Sequence, residues 1–221
     1  MKLLPVALRV ENQRITIVGG GAVAARKARA LLECGARVKI ISPQLCDELK
    51  TQLEQPSPCW EYSQRAFQSD DCDGCILVFA CTNDSQVNAQ IAAICGAKNI
   101  LCQVADDGAG STLHSAAAIR RGAICIGVST EGASPALAKF LKEKIEDCIG
   151  EEYSQLSQWM GERRESLKTK MDSQAERAAI WRAVLDSGVL PLLREGKPDE
   201  AAKLLGGIIH SAVEIQNSQS S

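Results

Sequence analysis

With 221 residues the chain is long enough to bury a full core, and its 25 basic against 27 acidic side chains leave a formal charge of −2. So even a balance excludes a globally basic binder of nucleic acid or anionic membrane, and any anion site must be local. No apolar run approaches the roughly 20 residues of a membrane span, and Met1-Lys2-Leu3-Leu4-Pro5 is too short and broken for a signal peptide, so a cytoplasmic protein is expected.

Pro5 to Val10 alternates like a strand and runs into the polar Glu11-Asn12-Gln13, which predicts a short leading hairpin. The β-branched run Ile15-Thr16-Ile17-Val18 enters Gly19-Gly20-Gly21 and leaves into Ala25 to Leu32, where strong helix formers recur at helical spacing. Gly19, Gly21 and Ala24 fill a G-x-G-x-x-A fingerprint. The first glycine permits the strand-to-helix turn, the second lets a pyrophosphate approach, and the third small residue lets helix and strand pack closely. The helix amino end, with its unpaired N–H groups and positive dipole, then faces the phosphates. Alone the motif is weak, because such glycines also serve tight turns in many doubly wound folds. Its setting between a strand and a helix, followed by a second strand at Ala36 to Ser42, strengthens the dinucleotide reading.

Glycine at Cys34-Gly35 is the expected carboxyl-terminal cap of that helix. After the second strand an Asp or Glu would read an adenosine ribose, but the chain has Ser42-Pro43-Gln44, so the residues leave NAD and NADP open. A helix over Leu45 to Leu53, a loop over 55–58 and a short strand at Trp60 to Tyr62 follow. Cys75 to Ala80 is the next strand, and its polar sequel Cys81-Thr82-Asn83-Asp84 stands at the edge where open α/β sheets bind ligands. Thr82 and Asn83 are therefore cofactor candidates, caps of a helix over Ser85 to Cys95, or both. Ile100 to Val104 is a further strand, and Ala105-Asp106-Asp107-Gly108 ends it with carboxylates that either take up a proton at the sheet edge or cap a turn.

Ala116 to Arg121 reads as a short basic helix or strand and Ala123 to Val128 as one more buried strand. Ser134 is placed to cap a helix over 136–149 with Pro135 at its first position. That helix carries Leu137, Phe140, Leu141, Ile145 and Cys148 on one side and Lys139, Lys142, Glu143 and Glu146 on the others. From Glu151 onward the chain reads as helices over 153–171, 173–185 and 198–215, broken around Ser187-Gly188. Ten cysteines are scattered as singles through apolar segments, Cys34, Cys81, Cys95, Cys102, Cys125 and Cys148 among them, which suits reduced, buried thiols. Cys72 and Cys75 form one C-x-x-C with no second pair at zinc-ribbon spacing, so it reads as structural. The expected fold class is α/β, a Rossmann-type doubly wound parallel sheet followed by a small α/β segment and a C-terminal helical domain.

Four separated segments carry a resemblance. They are Val18 to Ala28, Phe79 to Asp84 with Val87-Asn88, Cys102 to Asp107, and Arg120-Arg121-Gly122 followed by Val128 to Ala138, the last being the most specific. Together they resemble the siroheme-synthase family, meaning precorrin-2 dehydrogenases and bifunctional dehydrogenase/sirohydrochlorin ferrochelatases. The likeness is strong over residues 1 to about 150 and extends to the helical tail only by length and character. It implies an NAD-binding domain over 1–112, a dimerisation and substrate segment over 113–150, a helical domain over 151–221, and a homodimer. The implied reaction is oxidation of precorrin-2 to sirohydrochlorin with NAD accepting the hydride, followed in some members by insertion of ferrous ion.

By the same resemblance Ala22, Val23, Pro43 and Gln44 join Gly19, Gly21, Thr82 and Asn83 as cofactor contacts, and Asp106 takes the catalytic role, with Asp107 as its neighbouring alternative. A substrate with eight carboxylates requires cations, for which Arg120, Arg121, Lys139 and Lys142 are candidates, with Ser129 and Thr130 as hydrogen-bonding groups. His114 falls beside the substrate cleft, and it or Asp106 would meet the metal in a chelatase. Gln103 departs from the family's usual Asn, and Gly108 and Ala116 stand where Pro is common. Two other readings are a non-catalytic sensor or carrier of nucleotide or tetrapyrrole, and an unrelated Rossmann dehydrogenase acting on a small acid. Expected partners are precorrin-2, a second copy of the chain and a separate upstream methyltransferase, without nucleic acid or membrane.

Overall fold

The computed structural model describes residues 2–54, 58–105, 108–171 and 173–219. The chain divides into two compact units, Met1–Ser115 with Glu131–Ala133, and Ala116–Thr130 with Ser134–Ser221.

The first unit is built on a five-stranded parallel sheet. Its strands are β1 (Arg14–Val18), β2 (Arg37–Ile41), β3 (Trp60–Ser63), β4 (Leu77–Ala80) and β5 (Leu101–Val104), in the order β3-β2-β1-β4-β5. Strands β1 and β4 are apolar and buried almost throughout, as a central parallel strand covered on both faces requires. The order reverses between β1 and β4, whose register pairs Ile17 with Phe79 and Val18 with Ala80. This reversal opens the crevice in which doubly wound sheets bind ligands.

Helix α1 (Ala22–Glu33) turns Ala24, Ala25, Ala28 and Leu31 inward, and the small alanines let it lie close against Ile15, Ile17, Val38 and Ile40. Helices α2 (Asp47–Leu53) and α3 (Ser85–Ala97) complete the unit. A second core of different composition joins α3 to the sheet through Val18, Val78, Ile91, Cys72, Cys75, Cys95 and Cys102. In the C-x-x-C, Cys75 Sγ donates to the Cys72 carbonyl at 3.1 Å, and among the described residues no group of three His, Cys, Asp or Glu side chains could hold a metal ion.

One buried carboxylate braces the sheet. Asp71, in a short 3-10 turn over Ser69–Cys72, accepts two bonds of 2.7 Å from Arg65, one of 2.9 Å from the Gln68 amide and one of 3.1 Å from Lys39 of β2. Its carbonyl accepts from the buried Thr16 hydroxyl of β1 at 3.1 Å. Burial pushes the Asp71 carboxyl up, but Arg65, the Gln68 amide and Lys39 together hold it down at about 2.

The second unit starts with an antiparallel hairpin of β6 (Ala117–Arg121) and β7 (Ile124–Val128), turned at Gly122. Helix α4 (Pro135–Cys148) is capped by Ser134 Oγ, which accepts from the Leu137 amide at 3.1 Å, with Pro135 at its start. Helices α5 (Glu152–Lys170), α6 (Gln174–Leu185), α7 (Val189–Arg194) and α8 (Pro198–Gln219) pack around Leu156, Val184, Val189, Ala201 and Leu205. A smaller cluster of Leu167, Met171 and Ile180 extends that core.

Several expectations need correction. The leading hairpin does not form: both edges of β1 are taken by β2 and β4, and Leu4 and Val6 remain 83% and 70% exposed. Helix α1 begins at Ala22 rather than Ala25, directly behind the glycines. The segment after Gly188 is a short helix, α7, in which Pro191 is tolerated because the first turn needs no N–H there. The ten cysteines form no disulfide, but Cys125 and Cys148 are exposed, since β7 belongs to a two-stranded sheet and Cys148 lies in the last turn of α4.

Candidate functional site

A cleft of about 610 Å³ opens at the carboxyl edge of β1, β2 and β4. The glycine turn forms one wall, Ile41 to Cys46 another, and Cys81 to Asp84 with Phe67 and Val87 the third. Gly19 has φ +118°, and a Cβ there would stand 2.3 Å from the Cys81 carbonyl oxygen. Only glycine suits that turn. Gly20 is confined differently: a Cβ would reach 2.0 Å from the Gln44 carbonyl oxygen and 2.8 Å from Ser42 Oγ. The close approach is fixed by Cys46 N–H donating to the Gly20 carbonyl at 2.7 Å and Gly19 N–H to the Ile41 carbonyl at 2.9 Å.

Gly21 is the N-cap of α1, supplies no capping side chain, and has no protein atom within 4 Å of a built Cβ. The first turn also carries no acidic residue. Backbone N–H groups and the positive helix end therefore face open space in the cleft, which is the cradle a diphosphate requires. Ala22 and Val23 open α1 immediately behind it.

Pro43 and Gln44 line the opposite wall. Ser42 is buried and folds this loop by donating from Oγ to the Gln44 carbonyl at 2.6 Å, while Tyr62 Oη donates to the Ser42 carbonyl at 3.1 Å. At the third wall Asp84 takes the capping role, accepting from the Gln86 and Val87 amides at 2.9 and 3.2 Å. The Thr82 hydroxyl is bound to Asn88 Oδ1 at 2.7 Å and accepts from the Asp84 amide at 3.1 Å. Asn83 is exposed in the cleft. Gly19, Gly21, Pro43, Gln44, Thr82 and Asn83 thus line one cavity. Gly20 and Ser42 are structural members that the fingerprint spacing passed over, and the signal for Gly20 was the unbroken run of three glycines.

Asp106 and Asp107 lie outside the described residues. His114, on the segment running beside β5, has its Nε2 buried without a hydrogen-bond partner among the described residues. That segment is held by Thr112 and Leu113 N–H bonds to the Cys102 carbonyl at 2.9 and 3.1 Å and by Ser111 Oγ accepting from Val104 N–H at 2.9 Å.

The other candidates belong to the second unit. Arg120 is exposed on β6, whereas Arg121 Nε donates to the Ile149 carbonyl at 3.2 Å and meets Glu151 at 3.3 Å. Thr130 Oγ1 donates to the Ser134 carbonyl at 2.9 Å, shaping the turn into α4, and Ser129 stands in the strand exit before it. Lys139 and Lys142 pair along α4 with Glu143 and Glu146.

A parallel sheet with this order and a glycine cradle at its switch point defines a dinucleotide-binding protein of the Rossmann class. The chain belongs to the siroheme-synthase family: residues 6–117 match a model described as putative NAD(P)-binding, 121–147 the sirohaem biosynthesis protein central region, and 152–206 the sirohaem synthase dimerisation region. It is 31% identical over 217 residues to a siroheme synthase of Pseudomonas aeruginosa, covering 96% of this chain and 46% of that one. To a siroheme synthase of Nitrosospira multiformis it is 33% identical over 205 residues, 92% of this chain and 43% of that one. The chain thus spans less than half the length of these relatives. Its fold is that of the solved structure named SirC, precorrin-2 dehydrogenase, with TM-score 0.73 and 22% identity over 93% of this chain and all of the other.

Proposed function

We propose that the protein is a cytoplasmic precorrin-2 dehydrogenase of siroheme biosynthesis, using NAD to oxidise precorrin-2 to sirohydrochlorin. The observation that carries it is the glycine cradle, facing the uncapped start of α1, in a chain whose later segments match sirohaem-specific models. The cleft lining beside Ser42, Pro43 and Gln44, where β2 ends, carries no Lys or Arg among the described residues to pair a 2′-phosphate, which supports NAD over NADP. Bound NAD would supply the hydride acceptor. The α1 amides hold the diphosphate, Gly20 brings the Gln44 loop against the nucleotide, and Asn83 offers an amide at the sheet edge. Asp106, two residues beyond the end of β5, takes the proton released as hydride leaves the macrocycle.

A second reading adds insertion of ferrous ion as a substrate, and the Nε2 of His114, without a hydrogen-bond partner among the described residues, favours it, because imidazole nitrogen is a ligand type that iron takes. The protein acts as a homodimer in this proposal. Leu137, Phe140 and Leu141 on α4 are 47%, 52% and 39% exposed, an apolar face that a second copy would cover.

The test is anaerobic turnover of freshly generated precorrin-2 with NAD, following NADH and the sirohydrochlorin spectrum, with Asp106→Ala alongside and ferrous ion added afterwards. NADH formed by the wild type and lost in the variant supports the dehydrogenase. Metal insertion above the rate without enzyme supports the chelatase. Binding of both ligands with no NADH would turn the protein into a sensor or carrier.

A further inference from the structure

Lys27 is the sixth residue of α1, about 8 Å along the axis from its start, and is not part of the cofactor cleft lining. Its stem lies in the sheet's shadow, and its ammonium sits 5.0 Å from the centre of the Phe79 ring on β4. Nζ donates to Gln103 Oε1 of β5 at 3.1 Å and to Ser115 Oγ at 2.7 Å, and Ser115 Oγ donates to the same Gln103 oxygen at 2.5 Å. Phe79 and Gln103 are register partners, so the cluster spans β4 and β5 and reaches the surface at the exposed Ser115, one residue beyond His114.

Among the described residues the ammonium in this cluster meets no carboxylate. Lys39 and Arg121, with side chains 20% and 23% exposed, meet Asp71 and Glu151. Lys27 is surrounded by an amide oxygen, a hydroxyl and a ring face, and among the described residues no carboxylate pairs with it. Burial lowers its pKa to about 8, with the neighbouring Cys81 thiol opposing and Arg26 adding to the fall. Desolvating an ammonium for neutral acceptors is costly, and a strut between α1 and β5 could be built from neutral groups. An ammonium has three donors, two of which are placed, and the Gln103 side-chain NH₂ also has no partner among the described residues. Two adjacent donors with one positive charge fit a carboxylate.

We propose that Lys27 is the cation of a carboxylate subsite, receiving one acid group of the substrate beside the Gln103 amide, with Ser115 fixing the direction of the ammonium. The inference rests on the polycarboxylate substrate proposed above and names a residue that neither the fingerprint nor the basic residues of the second unit supply.

The experiment titrates uroporphyrin, a stable octacarboxylate, into wild type, Lys27→Met, Lys27→Arg and Ser115→Ala by tryptophan quenching at low and moderate salt. NAD affinity by calorimetry and the melting temperature are measured on each protein. Lys27→Met is expected to weaken uroporphyrin binding about tenfold or more and to reduce its salt dependence, with NAD affinity and melting temperature unchanged. Lys27→Arg should stay within about threefold of wild type, and Ser115→Ala should lose a smaller factor. Uroporphyrin bound equally well by Lys27→Met overturns the subsite. So does a parallel loss of NAD affinity and stability, which would make Lys27 a strut. If Lys27→Met does not fold, Ser115→Ala decides, and wild-type porphyrin affinity in it overturns the proposal. A wild type that binds NAD but not uroporphyrin refutes the functional reading itself, and the subsite with it.

Discussion

Gly20→Ala probes the cradle where it is tightest. The new Cβ would stand 2.0 Å from the Gln44 carbonyl oxygen, 1.4 Å inside the 3.4 Å of ordinary contact, and 3.0 Å from the carbonyl carbon. Both atoms are backbone, so relief requires the Pro43-Gln44 loop to move by roughly 1 Å, straining the 2.7 Å bond from Cys46 N–H to Gly20. Overpacking of this kind costs about 1–3 kcal/mol. The displaced loop is also a wall of the cleft, so NAD affinity should fall roughly ten- to a hundredfold, or about 1.4–2.7 kcal/mol. Gly21→Ala is the contrast, because its Cβ meets no protein atom within 4 Å. For that variant the N-cap preference for glycine and the entropy gained by losing one are each under about 1 kcal/mol and oppose each other. Melting without cofactor and calorimetric titration with NAD and NADP separate the two. Gly20→Ala should lose both stability and affinity, and Gly21→Ala affinity alone. The reasoning is refuted if Gly20→Ala melts and binds NAD as wild type does, or if Gly21→Ala destabilises the cofactor-free chain.

The Asp71 carboxyl, held at about 2 against an ordinary 3.8, contributes stability that is present above about pH 4 and lost as the pH falls through about 2. Asp71→Asn should therefore cost roughly 1–2 kcal/mol at pH 7 in urea unfolding, allowing for screening at the partly exposed Arg65, and the two proteins should converge only below about pH 2. Replacing the α4 cap by Ser134→Ala should cost about 1 kcal/mol, restored in large part by Ser134→Asp; equal urea midpoints for wild type and Ser134→Ala would remove the cap from the argument. If the proposed homodimer uses the exposed face of α4, Phe140→Asp should halve the mass seen by light scattering, and an unchanged dimer mass would rule that face out as the contact.

The parallel sheet was legible because its two central strands, β1 and β4, are largely apolar and β-branched or aromatic, and the glycine turn because a strand and a helix flank it. The leading hairpin was misread because alternation in Pro5 to Val10 says nothing about whether a strand edge is free, and the sheet order left none beside β1. Gly20 escaped notice since the fingerprint spacing skips its position and its need for glycine comes from the Gln44 carbonyl, a contact set by tertiary packing. Lys27 was visible only as one residue of the Val18 to Ala28 segment, and its contacts with Gln103 and Ser115, far along the chain, have no local signal. The short helix α7 lacks enough turns to show periodicity, and its proline reads as a breaker when the position within the first turn is unknown.

The two sides of the sheet differ in material. Branched aliphatic residues fill the side under α1, while Cys72, Cys75, Cys95 and Cys102 occupy much of the space under α3. Sulfhydryl groups shielded in this way cannot meet a reagent until the helix lifts, so the rate at which a small disulfide titrates them times the opening of that layer. The protein therefore carries its own reporter of breathing on the α3 side, readable without a label. Any ligand that clamps the β4 edge should slow that clock, even where it leaves global melting unchanged.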